Sequence, residues 1–430
     1  MFLSQLGKQR AQFNLFSVNA KRVLKANCIF GFVLPFYIIF SNTYIFNYNP
    51  VGDISFNIIY SALTFVGNPL GFILSGFLLK KFHVKYLFIV GMNIIIANMA
   101  VMMFIPSDWL VPTSLFLFGL VSGLGSGIYW SSRTYLTVVS TSDNVRDFFS
   151  GLDYVFFIAG GIVTPALVGT WIGLHETGIF TRQFAYQCAM LVALFLVVLA
   201  SIIVAQGSFP TVRAKNFLKY SYQISWRKTR AYVFIMGIYH GAILAVPAVF
   251  MMLYVGKEQQ LGIIESATHF FALISIYTVS SISRAALRPY VMLGGSLLFL
   301  TGAIMFGSLL PSHAAIATII LVIAFYLSDP TMNFPYRATF MRAIDDLSTQ
   351  EKRDPYTYLT DIEQFNALGR LVSIVVFYLL YRTLPATHAF AIYVVGVALF
   401  QFINVGLCRR INSVARSQNG EASLSESSTR

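Results

Sequence analysis

The chain has 430 residues, of which 57% are hydrophobic, 16% aromatic and only 11% charged, with a formal net charge of +13. A soluble domain carries about 25% charged residues, so this composition cannot cover a water-facing surface and points to an integral membrane protein. The basic residues stand in short tracts between apolar runs rather than in one patch, which excludes a nucleic-acid partner from the reading.

A basic, amphipathic leader over 1–26 comes first; no small-residue site closes the apolar run behind it, so no cleavable signal is expected. A membrane-spanning helix needs about 20 largely apolar residues. Segments of that length recur at 27–46, 56–79, 86–105, 112–138, 149–172 and 186–205, then at 231–255, 262–283, 290–310, 314–334, 361–381 and 389–407. Between the two sets lies 207–230, which carries Arg213, Lys215, Lys219, Arg227, Lys228 and Arg230 and no acidic residue. It reads as a cytoplasmic connector between two six-helix halves, 27–206 and 231–407. The tail, 408–430, is polar and Ser-rich and is expected to be disordered. Of the 30 basic residues, all but Arg182, Lys257, Arg382 and Arg370 fall in the leader, the even-numbered connections or the tail. That alternation predicts an all-α protein of twelve transmembrane helices with both termini cytoplasmic. The lack of any Asn-x-Ser/Thr acceptor fits a bacterial inner membrane, and the three scattered cysteines read as structural thiols.

The halves repeat one another. The fourth segment ends YWSSRTYL around Arg133 and the tenth ends NFPYRATF around Arg337. Each is followed by a segment opening with an aspartate and carrying a glycine eight residues on, Asp153 with Gly161 and Asp361 with Gly369. Such internal symmetry is what parallel transporter repeats leave behind.

Two local motifs accompany it. After the second segment, GFLLKKFHVK (76–85) is similar to the loop motif G-x-L-a-D-r-x-G-r-k of the major facilitator superfamily, with Lys80 in place of the Asp and His83 in place of the second Gly. In the fifth segment Gly151, Gly160, Thr164, Pro165, Val168 and Gly169 follow the antiporter-type spacing G-x8-G-x3-G-P-x2-G-G, with Thr and Val at two glycine positions. The chain thus resembles the major facilitator superfamily in architecture throughout and in these motifs locally. The resemblance implies two pseudo-symmetric six-helix halves that rock around a central site. The Asp-based latch of the loop motif has no counterpart here.

Arg370 is the sharpest individual signal. It falls about nine residues into the eleventh segment, roughly 14 Å of rise from its cytoplasmic end, where insertion of an Arg costs at least about 2.5 kcal/mol. Glu363, Asn366 and Arg370 share one helix face, since positions seven apart return to within about 20°. Two readings stand: Arg370 binds an anionic substrate group, or it forms an internal ion pair with Glu363 or Asp329. Asn42, Tyr37, Tyr239 and Trp130 are candidates for lining the same cavity, against a background in which most aromatics face lipid or core. Asp329, Glu363, His240 and His269 are the candidate proton-coupling groups; the plainer reading of each histidine is a hydrogen-bonded bundle residue. Glu265 is expected at the outer mouth. Arg133 with Asp153, and Arg337 with Asp361, are expected as gating pairs at the cytoplasmic ends, the alternative being solvated topology charges. Gly119, Gly123 and Gly127 form a smooth face for close helix packing.

No Walker A sequence, no HExxH or His/Cys cluster and no nucleophile–base pair is present, so neither a cofactor, a metal nor an enzyme activity is expected. The expectation is a monomeric secondary active transporter, with a small polar, anionic organic substrate and H⁺ as its partners in the bilayer. The alternatives are an exporter of lipid or amphipathic drug-like compounds, and a transporter-like sensor or scaffold that moves nothing.

Overall fold

A computed structural model of the chain describes residues 13–49, 53–141, 143–209, 217–218, 221–282 and 286–427. The leader up to residue 12 lies outside the described residues, as do Arg213, Lys215 and Lys219 of the central tract, and Arg284. Among the described residues there is no strand. The helices are α1 (Val18–Tyr48), α2 (Ser55–Leu78), α3 (Val84–Phe104), α4 (Pro112–Ser140), α5 (Asp143–Gly173) and α6 (Arg182–Ala205). They continue with α7 (Ile224–Tyr254), α8 (Glu258–Ile282), α9 (Arg288–Leu309), α10 (Ala314–Glu351), α11 (Pro355–Thr383) and α12 (Ala386–Ser427). Eleven of these are long and apolar enough to cross a membrane among the described residues.

Several helices overrun the segments expected from hydropathy alone. Helix α10 continues through Pro330 and Pro335 to Glu351 and stops where Lys352 turns to φ +50, so Arg337 and Arg342 stand on a helix rather than in a loop. Helix α7 begins at Ile224, which places Trp226 and Arg230 on its first turns. Helix α12 runs on to Ser427, through a stretch with one glycine and no proline to stop it. Hydropathy marks where a bilayer would end; backbone hydrogen bonding has no reason to end there.

Packing divides the chain into two units, residues 1–216 with 248–270, and residues 217–247 with 271–430. In α7 the division falls at Pro247, which supplies no backbone donor to the helix ladder. The first unit is built on glycine contacts. A Cβ on Gly123 would come within 2.8 Å of the Gly67 Cα, and one on Gly127 within 2.9 Å of the Gly71 Cα, so α2 and α4 meet backbone to backbone. Helices α1 and α5 do the same at Gly31 and Gly160, joined by the Thr164 hydroxyl donating to the Phe32 carbonyl at 2.8 Å. In α1, Pro35 cannot donate to the carbonyl one turn back, and a π turn over Phe36–Phe40 follows it directly. The second unit repeats the device: α7 and α11 touch at Gly237 and Gly369, 2.9 Å from an added Cβ, and the Ser373 hydroxyl donates to the Ile238 carbonyl at 2.7 Å.

Candidate functional site

The close approach of α7 and α11 determines what polar side chains can do there. Gly237 and Gly241 leave no room for a Cβ against the backbone of Asn366 and Arg370, so the next residue on that face of α7, His240, reaches Asn366 directly. Its Nδ1 lies 3.2 Å from the Asn366 Oδ1. Its Nε2 lies 2.9 Å from the Oδ1 of Asn333 on α10. Asn333 stands one turn beyond Asp329 and donates its Nδ2 to the Asp329 Oδ1 at 2.5 Å. On the other side Asn366 donates to Glu363 Oε2 at 3.2 Å, and Arg370 Nη1 closes an ion pair with Glu363 Oε1 at 3.0 Å.

The result is one continuous chain, Asp329–Asn333–His240–Asn366–Glu363–Arg370, across three helices. Arg370 and Glu363 are 15% and 16% exposed, and Arg370 lies about 22 Å along α11 from Pro355, close to its middle. Around the chain, the Tyr336 ring meets the His240 ring edge-on at 5.7 Å, and the Tyr239 hydroxyl reaches the Phe325 carbonyl and Ser328 hydroxyl, each at 3.4 Å. Pro330, directly after Asp329, supplies no backbone donor to the helix ladder.

Five residues singled out from sequence (Arg370, Asn366, Glu363, Asp329 and His240) therefore come together, with Tyr239 beside them. Between the two readings of Arg370, the geometry holds the internal pair with Glu363. Asn333 was missed; its signal was its spacing of four from Asp329 on one helix face. Asn42, Tyr37, Trp130 and His269 belong to the first unit and do not join the chain. The Asn42 side chain donates to the Ile38 carbonyl at 2.9 Å, and Tyr37 is buried in the π turn. His269 Nδ1 bonds the Glu265 carbonyl at 2.8 Å, with its ring packed against Gly161. Glu265 is not a mouth residue: it is 1% exposed, beneath His269. Charged side chains gather instead at the start of α8, where buried Glu258 accepts from Asn47 at 2.8 Å and faces Arg182 at 3.3 Å.

The expected gating pairs fare differently. Arg133 pairs with Asp153 and lies over the rings of Trp130 and Phe157, 4.9 and 4.4 Å from their centroids. Asp361, however, does not pair with Arg337. It is held by Arg230, at 2.7 Å, and by the Trp226 indole, at 2.5 Å, both from the start of α7. The extra helical turns of α7 bring these donors onto α11, while Arg337 is exposed on α10. Arg230 in turn lies over Phe365 at 5.3 Å. Phe157 and Phe365 each stand four residues after their aspartate, so the repeat is Asp, Phe, Gly at matching positions, with the arginine drawn from α4 in one unit and α7 in the other. Among the described residues no group of three or more His, Cys, Asp or Glu is placed to hold a metal ion.

No protein-family model matches the chain. It is 26% identical over 332 residues to Uncharacterized protein YqgE of Bacillus subtilis (strain 168), covering 75% of this chain and 74% of that one. It is 28% identical over 160 residues to the Uncharacterized protein in sodM 3'region of Geobacillus stearothermophilus, covering 36% of this chain and 73% of the other. Among solved structures, the D-xylose-proton symporter superposes with a TM-score of 0.64 at 12% identity, over 90% of this chain and 97% of that one. A bacterial homologue of the iron transporter ferroportin, in an inward-facing state, gives 0.63 at 16% identity over 92% and 98%. The major facilitator superfamily transporter FucP, in an outward conformation, gives 0.57 at 14% identity over 90% and 98%. The chain has the fold of the major facilitator superfamily transporters. It is a multi-pass membrane protein.

Proposed function

We propose that the protein is a secondary active transporter of a small polar, anionic organic solute, coupled to H⁺ and working by alternating access in a bacterial inner membrane. Its twelve helices would all span, with both termini cytoplasmic, as the distribution of basic residues argues. The observation that carries this reading is the Glu363–Arg370 pair near the middle of α11. An ion pair is weak evidence for stability, because desolvating two charges offsets most of their attraction; placed mid-span, it has the cost of a functional group. A substrate carboxylate or phosphate would compete with Glu363 for the same guanidinium. Protonating Glu363 removes the internal competitor, so proton uptake and anion binding favour each other, which is the linkage a symporter needs. Solved structures of the same fold include a proton symporter, which agrees with this reading in kind.

The experiment is uptake into proteoliposomes holding a pH-sensitive dye, with mono- and dicarboxylates, phosphate, sugars and amino acids offered in turn. A carboxylate or phosphate that brings protons inward with it is the expected result. A neutral solute carried with no proton movement would overturn the reading.

A further inference from the structure

The donors and acceptors along the polar chain of the second unit can be counted, and the count constrains where protons lie. Asp329 and Glu363, when ionised, only accept hydrogen bonds. Each therefore orients its neighbouring amide nitrogen toward itself, Asn333 toward Asp329 and Asn366 toward Glu363. Both amide oxygens then face the imidazole of His240, at 2.9 and 3.2 Å. An oxygen can only accept, so while both carboxylates are ionised both ring nitrogens must donate, and His240 is then the doubly protonated imidazolium. The four ionisable groups, Asp329, Glu363, His240 and Arg370, then sum to zero charge.

We infer that a single proton shared by His240, Asp329 and Glu363, with Asn333 and Asn366 as rotating amide reporters, decides whether Arg370 is clamped or free. If the proton leaves His240 Nε2 and one is gained at Asp329 Oδ1, Asn333 turns over: its oxygen accepts from the new carboxyl O–H and its nitrogen donates to the bare Nε2. If instead Nδ1 is emptied and Glu363 gains the proton, Asn366 turns over in the same way, and Arg370 loses its anionic partner. Each arrangement has the same net charge, and no bond other than N–H and O–H is made or broken. The arrangement excluded is His240 singly protonated with both carboxylates ionised, which sets a bare ring nitrogen against an amide oxygen in a half-buried site. The remaining titratable and charged groups facing this set are Tyr239 on α7 and Tyr336 and Arg337 on α10; none stands between the two amides and the ring. The role given to a freed Arg370 rests on the anion-coupled reading above, whereas the shared proton rests on geometry alone.

The test is nuclear magnetic resonance of the full chain in lipid nanodiscs, with ¹⁵N-histidine and ¹³C-carboxyl labels, titrated from pH 5 to pH 9. His240→Gln assigns the histidine signal, and Asp329→Asn and Glu363→Gln assign the carboxyls. The expected result is that His240 is doubly protonated whenever both carboxyls are ionised, and loses a ring proton only as one of them gains one. Asn333→Leu keeps every charge and removes the amide. It is expected to let His240 lose a ring proton to solvent within that pH range while Asp329 and Glu363 both stay ionised, the state excluded in the wild type. Wild-type His240 singly protonated beside two ionised carboxyls would overturn the proposal, as would an Asn333→Leu titration identical to wild type. Should Asn333→Leu fail to fold, the wild-type spectra decide. A shared proton without proton-coupled uptake in the liposome experiment would leave this inference standing and remove the transport reading instead.

Discussion

Helices α1–α6 and the trio α7, α10 and α11 bury polar side chains of different kinds. Away from their ends, α1–α6 carry amides and hydroxyls that answer one another in pairs. Asn68 donates to Ser126 at 3.1 Å, Asn93 to Ser201 at 2.8 Å, and Asn98 to Ser122 at 2.8 Å. The trio carries two carboxylates, an imidazole and a guanidinium linked end to end through two amides. Both regions use the same scaffold of glycine-mediated helix contacts, and an Asp, Phe and Gly at matching positions. Neutral pairs fix helix positions, whereas an ionisable chain can also change its protonation. The repeat is thus shared in its architecture, and the linked ionisable groups stand in one copy.

The largest expected effect tests the shared scaffold. Gly127→Val and Gly369→Val each drive a branched side chain into a facing backbone, at about 3 kcal/mol or more apiece. Both should yield aggregated protein on size exclusion in detergent; survival of either would show that the two contacts are not equivalent. Next comes the chemistry. If the proposed anion transport holds, Arg370→Ala should lower uptake by about a hundredfold or more, about 2.7 kcal/mol in barrier, while Asn98→Ala in α3 changes it by less than about threefold. Equal losses would erase the distinction between the regions.

A pH profile sharpens it further. On the anion-coupled reading, protonation of Glu363 releases Arg370, so wild-type uptake should rise as pH falls. Glu363→Gln carries no titrating group there and should give a flat profile at the acid-side level. At the charged ends, Arg230→Ala should open the start of α11 to reagents at introduced cysteines and lower the melting temperature, because it strands Asp361, 3% exposed, without its cation. Arg337→Ala should do neither. The smallest effect is expected from Phe157→Leu and Phe365→Leu, each removing one arginine–ring contact worth about 0.5–1 kcal/mol, read as a shift in thermal midpoint.

Much of this was legible in the sequence for identifiable reasons. Apolar length and basic spacing are set by the bilayer, so the fold class and helix order followed from composition. Arg370 stood out because an arginine inside a span is costly, and Glu363 and Asn366 followed from helical periodicity. The Arg230–Asp361 pair was hidden because hydropathy starts α7 several residues late and loses the turn that carries Trp226 and Arg230. Asn333 was hidden because an asparagine among Pro, Thr and Met has no costly charge to announce it; only its spacing from Asp329 does. The partner of a side chain on another helix depends on how closely the helices approach. That distance is set by glycines such as Gly237 and Gly241, whose facing residues no single sequence names.

The most direct test of the central claim is thermal stabilisation of the detergent-purified protein by carboxylates and phosphate at pH 5.5 and pH 7.5, in wild type, Arg370→Ala and Glu363→Gln. An anion gated by Glu363 should stabilise wild type more at pH 5.5 than at pH 7.5, stabilise Glu363→Gln equally at both, and leave Arg370→Ala unmoved. An anion that stabilises Arg370→Ala as much as wild type would contradict the account and reduce the Glu363–Arg370 pair to a structural tie.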